Sequence, residues 1–155
     1  MNDGQVLLRQ IHLSDIKDLI EISYYDSIQA TTFEEALEMQ KKINLDYTQG
    51  NSIHWGIVLE SSNIIIGTCG YYRGFENQTG ELGCVLLPKY RSKGLMSTAL
   101  KLAIEFGESQ MKLTQIWAVT SQENTKAIKL LEGLNFIRIK ELEGDEIRFE
   151  YKNRN

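Results

Sequence analysis

Glu81-Leu82-Gly83-Cys84-Val85-Leu86-Leu87-Pro88-Lys89-Tyr90-Arg91-Ser92-Lys93-Gly94-Leu95-Met96-Ser97-Thr98-Ala99-Leu100 is the stretch whose reading decides the fold. Glu81 to Leu87 reads as a strand, and Pro88, the only proline in the chain, stops it. The chain then turns tightly through Arg91-Ser92-Lys93-Gly94. Leu95, Leu100, Leu102, Ala103 and Phe106 follow in a helical pattern that ends near Gln110. The first N–H groups of such a helix have no internal acceptor and carry partial positive charge, which suits an anion. Gly94 lets the backbone approach a ligand with no Cβ in the way. From Leu82 to Ile104 there is no acidic residue but four basic ones, Lys89, Arg91, Lys93 and Lys101. In a chain of net charge -4 this is a local positive island, and it predicts a phosphate or pyrophosphate ligand.

The familiar phosphate loops do not account for it. Walker A requires Gly-x-x-x-x-Gly-Lys-Ser/Thr, whereas the order here is Ser92-Lys93-Gly94 without the earlier glycine. The dinucleotide fingerprint Gly-x-Gly-x-x-Gly is absent as well.

Outward from this centre the pattern gives a mixed α/β domain. Val6 to Gln10 reads as a first strand, and Ser14 opens a helix over Asp15 to Ser23, with Ile16, Leu19 and Ile20 on one face. Thr32 before Phe33-Glu34-Glu35 has the form of a capping box and starts a second helix, which runs to about Tyr47. Ile53 to Leu59 and Ile64 to Tyr72 form a hairpin around Ser61-Ser62-Asn63, and Gly74 to Gly80 is a polar turn. Beyond the deciding stretch come a strand (Thr114 to Val119) and a helix from Asn124 through Leu131, stopped near Gly133. Two last strands, Phe136 to Glu141 and Ile147 to Tyr151, flank the turn at Glu143-Gly144-Asp145. The order is one strand, two helices, three strands, helix, strand, helix, two strands: about seven strands flanked by about four helices in one domain over residues 1–155.

Composition excludes several classes. An acidic chain of 155 residues lacks the basic excess of a general nucleic-acid surface. Its aliphatic runs, such as Ile64-Ile65-Ile66, fall far short of the ~18 residues that span a bilayer. Cys69 and Cys84 offer neither a disulfide framework nor a metal spacing; buried reduced thiols and a cytoplasmic location are expected. No metal site is expected. His12 and His54 sit beside apolar residues and read as structural.

Arg91-Ser92-Lys93-Gly94-Leu95-Met96 resembles the Gln/Arg-x-x-Gly-x-Gly/Ala signature of the GNAT acetyltransferases, with Met96 in the last place. Pro88 to Ala99 is similar to the RimJ/RimL-type branch, Pro-x-Tyr-Arg-Gly-Lys-Gly-Tyr-Met/Ala-Thr-Glu-Ala, although Thr98 stands where that branch carries Glu. Asn124 to Phe136 resembles the family's Asn-x-x-Ala/Ser-x-x-Leu-Leu-Glu-Lys-Leu-Gly-Phe, and Trp55-Gly56-Ile57 with Ile66-Gly67 its Trp-x-Ile and Ile-Gly pair. The likeness covers roughly Val6 to Phe149, with the elements in the same order.

The resemblance implies the GNAT fold and acetyl-CoA as co-substrate. CoA would lie in a V-shaped split between the strands at Glu81–Leu87 and Thr114–Val119. Its pantetheine would pair with the main chains of Cys84, Leu86 and Leu87 like a short added strand. The pyrophosphate would meet the N–H groups of Ser92, Lys93, Gly94, Leu95, Met96 and Ser97, with Arg91 and Lys93 beside it. Asn124 would bond the cofactor or cap its helix. The reaction would be direct attack of an amine on the thioester, with the Cys84 N–H stabilising the oxyanion. A Lys amine near pKa ~10.4 is only about one part in a thousand neutral at pH 7, so a base is useful. Glu81 is the candidate. The Tyr that many relatives use as general acid is Leu131 here; Ser121 and Tyr90 are weaker alternatives.

The acceptor is open at this point. Met1 to Gly50 holds nine acidic residues against four Lys/Arg, and Asp26, Glu34, Glu35 and Glu38 either face a cationic amine or are solvated. Tyr24, Tyr25, Phe33, Tyr71 and Tyr72 either line a pocket or fill the core. Three readings follow: acetylation of a protein N-terminus as in RimJ/RimL relatives, acetylation of a small amine, or a CoA-binding module without turnover. The expected partners are the amine acceptor and acetyl-CoA, with a homodimer compatible and neither nucleic acid nor membrane required.

Overall fold

The computed structural model describes residues 5–25, 28–72 and 75–153. Its strands are β1 (Val6–Arg9), β2 (Tyr24–Tyr25), β3 (Ile28–Gln29), β4 (Ile53–Leu59), β5 (Ile64–Tyr72), β6 (Thr79–Leu86), β7 (Gln115–Ser121), β8 (Phe136–Glu141) and β9 (Glu146–Tyr151). The α-helices are α1 (Phe33–Thr48), α2 (Leu95–Ser109) and α3 (Thr125–Gly133). Seven strands make one sheet in the order β1-β4-β5-β6-β7-β9-β8, while β2 and β3 form a separate short hairpin. Every pairing in the large sheet is antiparallel except β6 with β7.

Strand alternation divides the sheet into two faces. One face sends Trp55, Ile57, Cys69, Tyr71, Leu82, Leu86, Ile116 and Phe149 against α2 and α3, where Ala99, Leu100, Ala103 and Leu131 complete the larger core. The other face sends Val58, Ile65 and Val85 against α1 and the segment before it, where Ile11, Ile16, Leu19, Ile22 and Ala36 are buried.

The expected helix over Asp15 to Ser23 is not α-helical. Two 3-10 turns, Leu13–Asp18 and Ile20–Ile22, occupy this region, and Ile16, Leu19 and Ile22, buried along them and at their junction, lie three apart. That is the 3-10 period. Arg9 fixes the entry to the segment by gripping both carboxylate oxygens of Asp15, at 2.8 and 3.0 Å. Thr32 caps α1 by accepting from Glu35 N at 3.1 Å. The returning half of the capping box is displaced by one residue, because the Glu35 carboxylate accepts from Thr31 N, at 3.0 Å. Among the described residues no helix is long and apolar enough to cross a membrane.

Candidate active site

β6 and β7 run side by side over only three pairs, Thr79 with Gln115, Gly80 with Ile116 and Glu81 with Trp117. Beyond Glu81 the two strands part. β6 continues to Leu86 paired with β5, and β7 continues to Ser121 paired with β9. The expected split between these strands is therefore present, and Glu81 stands at its apex.

The register shows which main-chain groups face the opening. Leu87 N–H donates to the Ile66 carbonyl, 2.8 Å, and the Leu87 carbonyl accepts from Tyr90 N, 3.0 Å. Leu87 thus spends its main chain inside the fold rather than on the open edge. In an antiparallel ladder the hydrogen-bonding direction alternates from residue to residue. The main-chain groups of Leu86, Cys84 and Leu82 then turn away from β5, toward the split. Arg91 agrees with this assignment, because its Nε reaches back to donate to the Leu86 carbonyl at 3.0 Å. Its side chain also ties the loop to the end of β6.

The loop after β6 forms an anion cradle from the backbone. Ser92 (φ 63°) and Gly94 (φ 78°) are both left-handed, and Gly94 is the N-cap of α2 with no side chain bonding to the helix end. The first bond of α2 runs from Thr98 N to Gly94 O, so the N–H groups of Leu95, Met96 and Ser97 precede it. A Cβ placed on Gly94 would meet nothing within 4 Å. Exposed N–H groups converging from a left-handed turn and a helix end form a concavity that attracts anions. Arg91 and Lys93 lie exposed beside it. Asn124 caps α3, its Oδ1 accepting from Ala127 N at 3.1 Å, and is exposed.

Strand parity places Glu81, Gly83 and Val85 on the face toward α1, together with Tyr72, Thr68 and His54 of the neighbouring strands. One Glu81 carboxylate oxygen, Oε2, is screened from solvent. The Tyr72 ring leans over Gly83, with Cε2 3.0 Å from where a Cβ would stand. Burial first, and then the nearby Cys69 and Cys84 thiols, push the Tyr72 phenol far above its ordinary range, so it stays protonated. Above Tyr72 opens a cavity of about 230 Å³ between the sheet, α1 and the 3-10 turns. Ile11, Leu19, Ile22, Met39, Ile43 and Val85 supply its apolar wall. Tyr24, Tyr25, Gln40, His54, Thr68 and Tyr72 supply its polar or aromatic parts.

At one end of the cavity the Gln40 amide donates to Asn44 Oδ1, 3.0 Å, and meets His54 Nε2 at 3.3 Å. Burial lowers the His54 pKa, opposed by the charge of Asp46, so the ring is neutral. With Nε2 accepting from Gln40, the ring proton falls on Nδ1, as assigned from this network.

Several expected acceptor residues are not brought together. Tyr71 points to the opposite face, where its OH donates to the Ala103 carbonyl, 2.7 Å. Phe33 is 40% exposed, outside the cavity lining. Glu35 is used at the helix end, and Glu38 pairs with Lys41 at 3.2 Å, so neither faces the cavity. Glu34 is exposed, and Asp26 lies outside the described residues. Of the alternative acids, Ser121 sits at the far end of β7 with its Oγ accepting from Glu123 N. Tyr90 lies in the turn after β6, under the Lys89 ammonium.

Cys84 sits directly across from Cys69 on the neighbouring strand. Burial and the facing Cys69 push the Cys84 thiol well up, which leaves it a poor nucleophile. Among the described residues no three His, Cys, Asp or Glu side chains gather to hold a metal. Sequence reading passed over Gln40, Met39, Thr68 and the lining role of His54. Counting strand parity from the Ile53–Tyr72 hairpin would have grouped His54, Thr68 and Tyr72.

A split parallel pair followed by an uncapped helix end is the site plan of an acyl-CoA N-acyltransferase. The acetyltransferase (GNAT) domain model matches residues 5–137, and the chain belongs to this family. It is 31% identical over 140 residues to the uncharacterized N-acetyltransferase p20 of Bacillus licheniformis, covering 85% of this chain and 79% of that one. Its fold is similar to that of a variant of spermidine N-acetyltransferase from Vibrio cholerae. The TM-score is 0.81 at 20% identity, over 96% of this chain and 94% of that one. A GNAT-family acetyltransferase from Bacillus anthracis gives a TM-score of 0.78 at 23% identity, over 94% and 93%. The protein is an acyltransferase of the N-acetyltransferase class.

Proposed function

We propose that the chain transfers the acetyl group of acetyl-CoA to the amine of a small molecule. The observation that carries this reading is the opening of the sheet at Glu81, with an anion cradle at one side and a partly open cavity on the α1 face.

The residues present fit CoA. The open-edge main chains of Cys84 and Leu86 suit the amide-bearing pantetheine arm. The N–H groups from Ser92 to Ser97 suit the pyrophosphate, with Arg91 and Lys93 supplying charge and the missing Cβ of Gly94 leaving room. Asn124, already a helix cap, has its amide nitrogen for the ligand or a bridging water. Acetyl-CoA supplies a thioester activated toward amines. Glu81, at the apex, takes the proton from the incoming ammonium directly or through water, and the Cys84 N–H stabilises the developing oxyanion. The thiolate leaves unassisted or by way of water, since α3 carries Leu131 where relatives have a tyrosine.

Within the superfamily, Pro88 to Ala99 keeps its likeness to the RimJ/RimL branch. The small cavity favours a small amine over a protein N-terminus as acceptor. The free thiols of Cys69 and Cys84 support a reducing cytoplasm as the compartment. Release of free thiol from acetyl-CoA over a panel of small amines and N-terminal peptides tests the reading. Acetylation of small amines supports it. Acetylation confined to peptides, or none at all, overturns it.

A further inference from the structure

We infer that the acceptor is a monoamine whose body is uncharged and apolar, seated in the cavity under α1. This inference rests on the small-amine reading above and narrows it. Among the described residues that line the cavity, none carries a charge. Seven are aliphatic or thioether side chains, Ile11, Leu19, Ile22, Ala36, Met39, Ile43 and Val85.

At the rim, one cation and one anion both contact Tyr25. Lys42 Nζ lies 5.6 Å over the Tyr25 ring, and the Tyr25 OH donates to Asp46 at 3.1 Å. A second ammonium on the acceptor would therefore enter an apolar wall with no carboxylate among the described lining residues to pair it, beside an aromatic face that already holds a cation. Burying an unpaired charge in such a place is strongly disfavoured. The volume, about 230 Å³, lies below the ~300–1,000 Å³ of sites for drug-sized ligands. One short alkyl or aryl group fits that scale. Gln40 and His54 add a buried polar end where a single neutral hydrogen-bonding group can be read.

The direction of the acceptor follows from the sheet. Tyr72 lines the cavity and is the cross-strand partner of Glu81. A primary amine on a short body in the cavity is thereby held beside the apex of the split, with the apolar end pointing toward α1. A polyamine would have to leave its remaining charges in the same wall.

Steady-state rates with acetyl-CoA separate the cases, using 2-phenylethylamine, isopentylamine, spermidine and a serine-initiated peptide. The expected result is a kcat/KM for the two monoamines at least tenfold above that for spermidine. In addition, Ile43→Asp places a carboxylate in the half-buried part of the wall. It should lower monoamine kcat/KM by tenfold or more and narrow or reverse the preference against spermidine. The rise in Tm with acetyl-CoA, retained in the variant, reports that it is folded. Spermidine preferred by the wild-type chain overturns the inference and leaves small-amine transfer standing. No transfer to any amine, or transfer to the peptide alone, removes the underlying reading instead. A folded Ile43→Asp variant with an unchanged ranking also overturns the assignment of the cavity.

Discussion

Gly94→Asp tests the anion cradle, because its structural and ligand-binding effects separate. Gly94 has φ 78°, a left-handed conformation that costs an ordinary L-residue about 1–2 kcal/mol and Asp less. Nothing lies within 4 Å of the added Cβ, so no clash contributes. A carboxylate at the start of α2 also interacts favourably with the helix dipole, by about 0.3–1 kcal/mol. The net change in apo stability should therefore stay within about 1 kcal/mol. For a domain of this size that is a Tm shift of roughly 2–4 °C. Acetyl-CoA at a hundred times its Kd stabilises the wild-type chain by about 2.7 kcal/mol, roughly 5–10 °C by the same conversion. In Gly94→Asp this ligand-induced shift should vanish, since the new carboxylate occupies the open space with the charge of the pyrophosphate itself. Gly94→Ala, bulk without charge, should fall between. Differential scanning fluorimetry with and without acetyl-CoA measures both quantities. A folded Gly94→Asp protein that keeps the full acetyl-CoA shift refutes the placement of the pyrophosphate.

Glu81→Gln should lower kcat by roughly 10²-fold or more with acetyl-CoA binding nearly intact, and the deficit should shrink as pH rises and the amine is already neutral. A loss confined to the acceptor's KM would make Glu81 a binding residue. Asn124→Ala should cost about 1 kcal/mol through the lost cap on α3, seen as a lower urea midpoint. A raised KM for acetyl-CoA beyond that would add the ligand contact. His54, whose folded pKa is lowered by burial, stabilises the fold fully above its unfolded pKa of about 6.5. That contribution is lost as pH falls through 6.5 and toward the folded value. His54→Gln should flatten the dependence of stability on pH below about 6.5 in urea melts.

The seven strands of the large sheet, in chain order, and the loop at Arg91 to Ser97 were legible because their signals are local. Proline stops a strand, glycine admits a left-handed turn, and the 2- and 3.6-residue periods differ over six or more residues. The segment before α1 reads as an α-helix because Ile16, Leu19 and Ile20 share an α face, whereas the buried set is Ile16, Leu19 and Ile22 and Ile20 is only half buried; so short a run does not separate the 3-10 period from the α period. The β2–β3 hairpin was missed because two residues per strand show no alternation. The acceptor cavity was half legible. Tyr71 and Tyr72 are chemically alike and adjacent, yet alternation sends one into the α2 core and the other into the cavity. Only the register decides between them. Leu87 was assigned to the open edge for the same reason, one residue out of phase with Leu86. The acidic residues of α1 were open between a cation site and a solvated face; the capping-box form at Thr32 already pointed Glu35 to a backbone N–H, and the pairing of Glu38 with Lys41 needed the structure.

The short junction between β6 and β7 bears on turnover. With only Thr79 to Glu81 pairing there, the sheet is two plates, β1-β4-β5-β6 and β7-β9-β8, joined at a seam. On the proposed reading, the pantetheine arm stitches that seam by supplying the rungs that β7 does not. Those stitches are made by parts of the molecule that acetyl transfer leaves unchanged, so free CoA should hold the plates together nearly as well as acetyl-CoA does. Unzipping the spent carrier then becomes the slow event of the cycle, and accumulated CoA should act as a brake on the enzyme that produces it.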